Sequence, residues 1–138
     1  MSVSMKLTHY DNWADNSAAI VSRMHRALDI SSQGTCKQKH GAVLMQGSRV
    51  LAVGVNSMRN DPANIVWTDS DNKPPGISVH AEVQATRTHP NVPNTTLYLV
   101  RYGFDYSNKR PMFMDSKPCD ECLAYLVWQT SVKEVIYS

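Results

Sequence analysis

The chain has no run of roughly 18 or more apolar residues, so no membrane-spanning helix is expected. Its opening segment, Met1 to Asn12, is polar and mixed and lacks the apolar stretch of a secretory signal. Secretion is therefore not expected, and the reducing cytoplasm is the expected compartment. Cysteine is scarce: 3 among 138 residues, at Cys36, Cys119 and Cys122. A small odd number argues against a disulfide framework, and a close pair in a reducing compartment points to metal or redox chemistry. A surplus of one charge sign is missing too. The net charge is +2, which argues against nucleic acid, where a clustered basic face is expected. It leaves a small anionic substrate open. No internal repeat and no low-complexity tract interrupts the chain. What is present is ordinary for a globular protein, with 42% hydrophobic and 19% charged residues. The length suits a single domain over residues 1–138 with a real core.

Local patterns predict the elements. Ile20, Val21, Met24, Ala27 and Leu28 recur at helical spacing, with Asp15 or Asn16 as the expected cap and Ser31-Ser32-Gln33-Gly34 as the stop. Two apolar runs, Gly41 to Met45 and Val50 to Val55, flank Gln46-Gly47-Ser48 and predict a β-hairpin. Asn56 to Ser78 holds Pro62, Pro74, Pro75 and Gly76 and reads as a long loop, of the length that is usually functional or disordered. His80 to Thr88 predicts a helix, Thr95 to Arg101 a strand, Tyr102 to Lys117 an irregular stretch, Cys119 to Gln129 a helix and Lys133 to Tyr137 a strand. The order α-β-β-α-β-α-β implies a layered α/β sheet with parallel crossovers in its second half.

Two short segments carry chemistry. One is His80-Ala81-Glu82. The other is Pro118-Cys119-Asp120-Glu121-Cys122. Zinc favours nitrogen and sulfur ligands, and a catalytic ion keeps three of them from the protein and a fourth position for water. One imidazole and two thiolates meet that count. Cysteines three apart at a helix start can face one ion, where the positive helix end favours thiolates. Zinc lowers the pKa of its water from about 15.7 to roughly 7. Glu82, two residues from His80, is placed to move protons at that water without binding the metal. A lone C-x-x-C would equally suit a redox pair or half of a structural zinc site, with Cys36, His40 or His89 as the fourth ligand. The redox alternative lacks a Trp-Cys-Gly context. Both motifs together, in this order, match the H-x-E…P-C-x-x-C pattern of zinc deaminases.

The chain resembles the cytidine/deoxycytidylate deaminase superfamily, and most of all its short deoxycytidylate deaminase-type members. The likeness runs from about Lys39 to Ser138. It rests on Lys39-His40-Gly41-Ala42-Val43, Gly54-Val55-Asn56, Val79-His80-Ala81-Glu82, Thr96-Leu97-Tyr98 and Ser116-Lys117-Pro118-Cys119 with Cys122. The resemblance implies a three-layer α/β/α sandwich with a mixed central sheet, one catalytic zinc ion and a homo-oligomer. It implies that His80, Cys119 and Cys122 bind the zinc and that Glu82 is the proton shuttle. It further implies that Asn56 bonds the substrate's sugar or base, that the Ala81 amide meets the base carbonyl, and that the Ser116 carbonyl meets the leaving amine. The segment between the motifs is longer than in compact members, with the excess in Tyr102 to Ser116. The chain ends at Ser138, directly after the fourth predicted strand, where family members usually continue.

Other residues have weaker claims. Arg59 and Asn60, on the loop after Asn56, and Lys117, beside the second motif, are candidates to contact a substrate phosphate. Trp67, Tyr102, Phe104 and Tyr106 could stack on a base, and each could equally pack onto the core. The leading expectation is hydrolytic deamination of a cytosine nucleotide such as dCMP to the uracil form with release of ammonia. Free cytidine or deoxycytidine is a close variant, and guanine or a pterin-like base a further one. One rival is a deaminase acting within RNA or single-stranded DNA, with the aromatic segment from Tyr102 to Pro111 against the strand. Another is a zinc-stabilised binding module without catalysis, in which Glu82 would have no purpose.

Overall fold

A computed structural model describes residues 5–11, 16–33, 39–58 and 78–138. The expected cap Asp15, Cys36, the substrate candidates Arg59 and Asn60, and Trp67 lie outside the described residues.

The first element was not anticipated. Strand β1 (Lys6–His9) runs parallel to the last strand, β8 (Val132–Tyr137), with Leu7 opposite Val135. Four residues are too few to show alternation, and the strand is held in part by a side-chain bond, Thr8 Oγ1 to Glu134 Oε2 at 2.7 Å. Helix α1 (Ala18–Ser31) buries Met24, Ala27, Leu28 and Ser31. Its cap is Ser17, one residue beyond the expected pair, because Ser17 Oγ accepts the Ile20 N–H at 3.3 Å. Asn16 instead bonds the Asp11 carbonyl.

Strands β2 (His40–Gln46) and β3 (Arg49–Val55) form the expected hairpin, turning at Gly47 with φ +57°, a left-handed value that glycine adopts without cost to a side chain. Two-residue strands β4 (Ser57–Met58) and β5 (Ser78–Val79) pair antiparallel; the expected long loop between them lies outside the described residues. Helix α2 (Ala81–Thr86) follows, then β6 (Thr95–Asp105), β7 (Arg110–Met114) and α3 (Asp120–Gln129). The stretch from Tyr102 is therefore not irregular as expected. It continues β6 and returns as β7, with Tyr102 opposite Phe113 and Phe104 opposite Pro111. The turn between them is built by Asp105. Its Oδ1 accepts the N–H groups of Ser107 and Asn108, and its Oδ2 accepts Asn108 Nδ2 at 2.7 Å.

The six-stranded sheet has the order β1-β8-β6-β2-β3, with β7 also on β6. It is mixed: β1, β8 and β6 are parallel, while β2 is antiparallel to both its neighbours. Arg101 pairs with both His40 and Met114, so β7 lies on the side of β6 that β8 occupies further back. Period-two alternation sorts the strand residues onto two faces. Val43, Met45, Tyr98, Val100 and Ile136 pack under α1. Ala42, Leu44, Leu97, Leu99 and Val135 pack with Ala81, Val83, Tyr125 and Leu126 of α2 and α3. The result is the expected three-layer α/β/α arrangement. Among the described residues no helix is long and apolar enough to cross a membrane.

One glycine sets the distance between β3 and α2. A Cβ on Gly54 would strike the Ala81 carbonyl oxygen and stand 2.7 Å from the Ala85 nitrogen. Gly54→Ala should cost about 1–3 kcal/mol in urea denaturation by overpacking; an unchanged midpoint would show that the two elements can part freely. The Asp105 carboxyl is held below its usual pKa, first by the Asn108 side chain, then by the Asn108 amide. A depressed folded pKa contributes stability above the unfolded value of about 3.9 that is lost as pH falls through the folded value. An NMR titration should place the Asp105 midpoint below that of an unstructured aspartate.

Candidate zinc centre

Both chemical motifs sit at helix starts on the same layer. His80 is the N-cap of α2 with extended backbone, φ −73° and ψ 137°, and Cys119 is the N-cap of α3, φ −69° and ψ 166°. A cap residue ordinarily spends its side chain on the exposed amides of the first turn. Neither His80 nor Cys119 does so. Their backbones are nevertheless fixed, because their carbonyls accept the first helical bonds, from Gln84 N at 3.1 Å and Leu123 N at 2.9 Å. Cys122 lies one turn into α3 and is buried, while Cys119 faces solvent.

One ligand atom each from His80, Cys119 and Cys122 lies within 4.8 Å of the other two. Cys122 Sγ stands 3.2 Å from His80 Nδ1. Ligands of one tetrahedral zinc, bound at about 2.0–2.3 Å, stand roughly 3.5–4 Å apart. Small side-chain rotations would bring this set to the spacing of zinc ligands. The donor chemistry, one imidazole and two thiols, also suits zinc. Among the described residues this is the group of three with that capacity, and neither His40 nor His89 belongs to it. His40 is engaged with Asn56 instead, and His89 Nδ1 lies 2.9 Å from Thr88 Oγ1.

The electrostatics ask for a cation. Burial pushes the Cys122 thiol far above its usual pKa, and the neighbouring Glu82 carboxylate and Cys119 push it further in the same direction. Glu82 is 5% exposed and within hydrogen-bonding reach of Cys122. A buried carboxylate and two sulfurs crowded together are costly without positive charge among them. The site's second layer is hydroxylic. Thr86 Oγ1 donates to the Glu82 carbonyl at 2.7 Å, which leaves the Tyr125 hydroxyl to donate to Thr86 at 3.0 Å. This buried bridge ties the helix of Glu82 to the helix of Cys122.

The structure brings Asn56 to the same end of the sheet. Ser57 pairs with Val79, so Asn56, just before β4, and His80, just after β5, flank the same end of the pair. Asn56 is buried at 7%, and its Oδ1 accepts the His40 N–H at 2.7 Å. Ala81 is fully buried in the first turn of α2, where an amide has no intrahelical acceptor. Ser116 is buried, but its hydroxyl and amide are used structurally. Its N–H donates to the Ser138 carbonyl at 2.8 Å, and its Oγ lies 2.9 Å from Ser138 Oγ. Lys117 is exposed, and its amide donates to Asp115 Oδ1. Tyr102 packs beneath α1, on the face away from the zinc layer. Phe104, two residues on, shares that face by alternation and meets Tyr106 edge-on at 5.0 Å.

Sequence reasoning passed over Gln84, Thr86 and Ser138. Gln84 Oε1 accepts the Val55 N–H at 2.6 Å and so fastens the end of β3, just before Asn56, to α2. A usable signal existed for two of them. Polar residues in a short, otherwise apolar helix must find buried partners.

The sequence matches the family described as the cytidine and deoxycytidylate deaminase zinc-binding region over residues 18–138. The chain belongs to this family, and with the cluster above it carries a zinc site. No curated protein matches the sequence. Among solved structures, the chain resembles apo dCMP deaminase from the cyanophage S-TIM5, with TM-score 0.56 and 20% identity over 89% of this chain and 84% of that one. It also resembles RibD from Acinetobacter baumannii, with TM-score 0.50 and 17% identity over 87% of this chain but 28% of that one. At these identities the likeness is one of fold.

Zinc titration of metal-free protein should saturate near one ion per chain and release protons, since Cys122 starts as a thiol and must bind as a thiolate. Calorimetry in buffers of different ionisation enthalpy measures the release. A Cys122→Ser chain binding zinc equally well would remove that residue from the ligand set.

Proposed function

We propose that residues 1–138 form one zinc-dependent hydrolytic deaminase domain that converts a free cytosine nucleotide, dCMP or a close relative, to its uracil form with release of ammonia. The observation that carries this reading is Glu82. A carboxylate buried to 5% exposure beside a complete three-ligand set has no role in a merely structural zinc site. In this reading His80, Cys119 and Cys122 hold the ion, which when bound supplies a water acidified towards neutral pH. Glu82 would take a proton from that water and pass it to the ring nitrogen, then take the proton of the newly formed carbon-bound hydroxyl and pass it to the amine as the C–N bond breaks. The Ala81 amide receives the base carbonyl. The Ser116 carbonyl receives the amine. Asn56, held rigid by its bonds to His40, orients the sugar or base. Arg59, Asn60 and Lys117 are the residues proposed to meet the phosphate.

The substrate class is supported by family membership and by the fold shared with a phage dCMP deaminase. Tyr102, one of the aromatics that a nucleic-acid reading would use, packs beneath α1 rather than on the zinc layer, which favours the free nucleotide. A homo-oligomer in the cytoplasm completes the proposal.

Ammonia release from zinc-loaded protein tests it, on a panel of dCMP, dCTP, deoxycytidine, cytidine, adenosine, guanine and a single-stranded oligonucleotide. The expected result is turnover of a free cytosine nucleotide. Glu82→Gln should lower kcat by about 10²–10⁴ or more while zinc content and circular dichroism stay unchanged. Turnover confined to the oligonucleotide would overturn the substrate assignment. Full activity in Glu82→Gln would overturn the proton-shuttle assignment.

A further inference from the structure

On the opposite side of the sheet from the zinc centre lies a surface cleft lined by Ser22, Arg23, Arg26, Met45 and Ser48. Ser22 and Arg26 are four residues apart on α1 and Arg23 and Arg26 three apart, so the helix presents them together. Ser48 comes from the β2–β3 turn, and Met45 is a buried side chain beneath α1.

The lining is cationic and hydroxylic, with no carboxylate in it. Among the described residues neither guanidinium has a carboxylate within ion-pairing distance. Arg23 is also pre-positioned. Its Nη1 donates to the Tyr98 hydroxyl at 2.8 Å, and its guanidinium carbon lies 5.6 Å from the centre of the Tyr98 ring. That bond occupies one of five guanidinium N–H donors and holds the planar group in place, leaving a forked edge for another acceptor. Two guanidinium groups with no carboxylate partner among the described residues line this cleft together with two serine hydroxyls, a donor set suited to a tetrahedral oxyanion.

We propose that this cleft binds a phosphate group, free or as a phosphomonoester, at a site separate from the zinc centre. Arg23 and Arg26 supply the charge, and Ser22 and Ser48 supply neutral donors. The site stands on α1 and the β2–β3 turn and does not depend on the proposed reaction.

The test uses zinc-loaded protein and reads binding alone. Inorganic phosphate is titrated at constant ionic strength while the backbone amides are followed by NMR. Saturable shifts are expected to centre on Ser22, Arg23, Arg26 and Ser48. Arg26→Gln should weaken the apparent affinity roughly tenfold or more, as expected for losing a charge-assisted contact. Arg110→Gln, at the start of β7 and outside the cleft lining, should leave it unchanged. Arg23→Gln provides a second variant should Arg26→Gln fail to fold. Displacement of phosphate by a nucleoside 5′-monophosphate but not by its nucleoside identifies a phosphomonoester as ligand; displacement by neither identifies free phosphate. Shifts scattered over all basic residues, or equal affinity in the Arg26→Gln and Arg110→Gln proteins, would overturn the site.

Discussion

A thiol and a carboxylate, Cys122 and Glu82, are buried beside one another where α2 meets α3. Cys122 and Glu82 sit within reach of one another on two different helices, with His80 and Cys119 closing the circle. Burial first, and then the nearby Glu82 and Cys119, raise the cost of ionising the Cys122 thiol. A bound cation reverses that balance and converts repulsion into attachment. The rest of the α2/α3 layer is arranged to hold these groups together despite it. The Thr86–Tyr125 bridge spans the two helices, and Val83, Ala85 and Leu126 seal them onto the sheet.

Positioning depends on the ends of the strands. The close approach at Gly54 sets β3 against the first turn of α2, and the Gln84–Val55 bond fastens it there. The β4–β5 pair then carries the chain from Asn56 back to His80. At the neighbouring strand ends, Ser116 and Ser138 bond each other and the Leu99 carbonyl. They join β6, β7 and β8 a few residues before Cys119. Ligand residues at two helix starts thus inherit their geometry from backbone on several strands. Hydroxyl-to-backbone bonds of this kind define direction more sharply than apolar contacts do.

The opposite layer has a different character. Helix α1 covers its face with Met24, Ala27 and Leu28 and leaves a basic flank above the β2–β3 turn. The long β6–β7 hairpin extends this side, with Phe113 against Tyr10 and His25. Exposed Phe104 and Tyr106 pair at its far end. The sheet therefore separates a site built from sulfur, imidazole and carboxylate from a surface rich in arginine and aromatic side chains.

Much of this was legible in the chain itself. Helical apolar spacing located α1, and short runs of apolar or strand-forming residues located the β2–β3 hairpin, β6 and β8. His80, Cys119 and Cys122 were legible as a possible zinc-ligand set because a zinc site requires those residue types at that spacing. Three features were not. β1 and β7 are short, and their pairing partners lie far away or across a turn that only Asp105's local bonds define. The β4–β5 pair has two residues per strand, too few for any period. The placement of Asn56 beside His80, and of Tyr102 away from the zinc layer, follows from strand register and face. Register is a property of paired strands, and a single strand read alone does not contain it. The sequence by itself determined which residue types stand in the two motifs and located the segments with a long apolar or strand-forming pattern. Only the tertiary structure decided what faces what, because side-chain direction is settled when sheets pair and layers close.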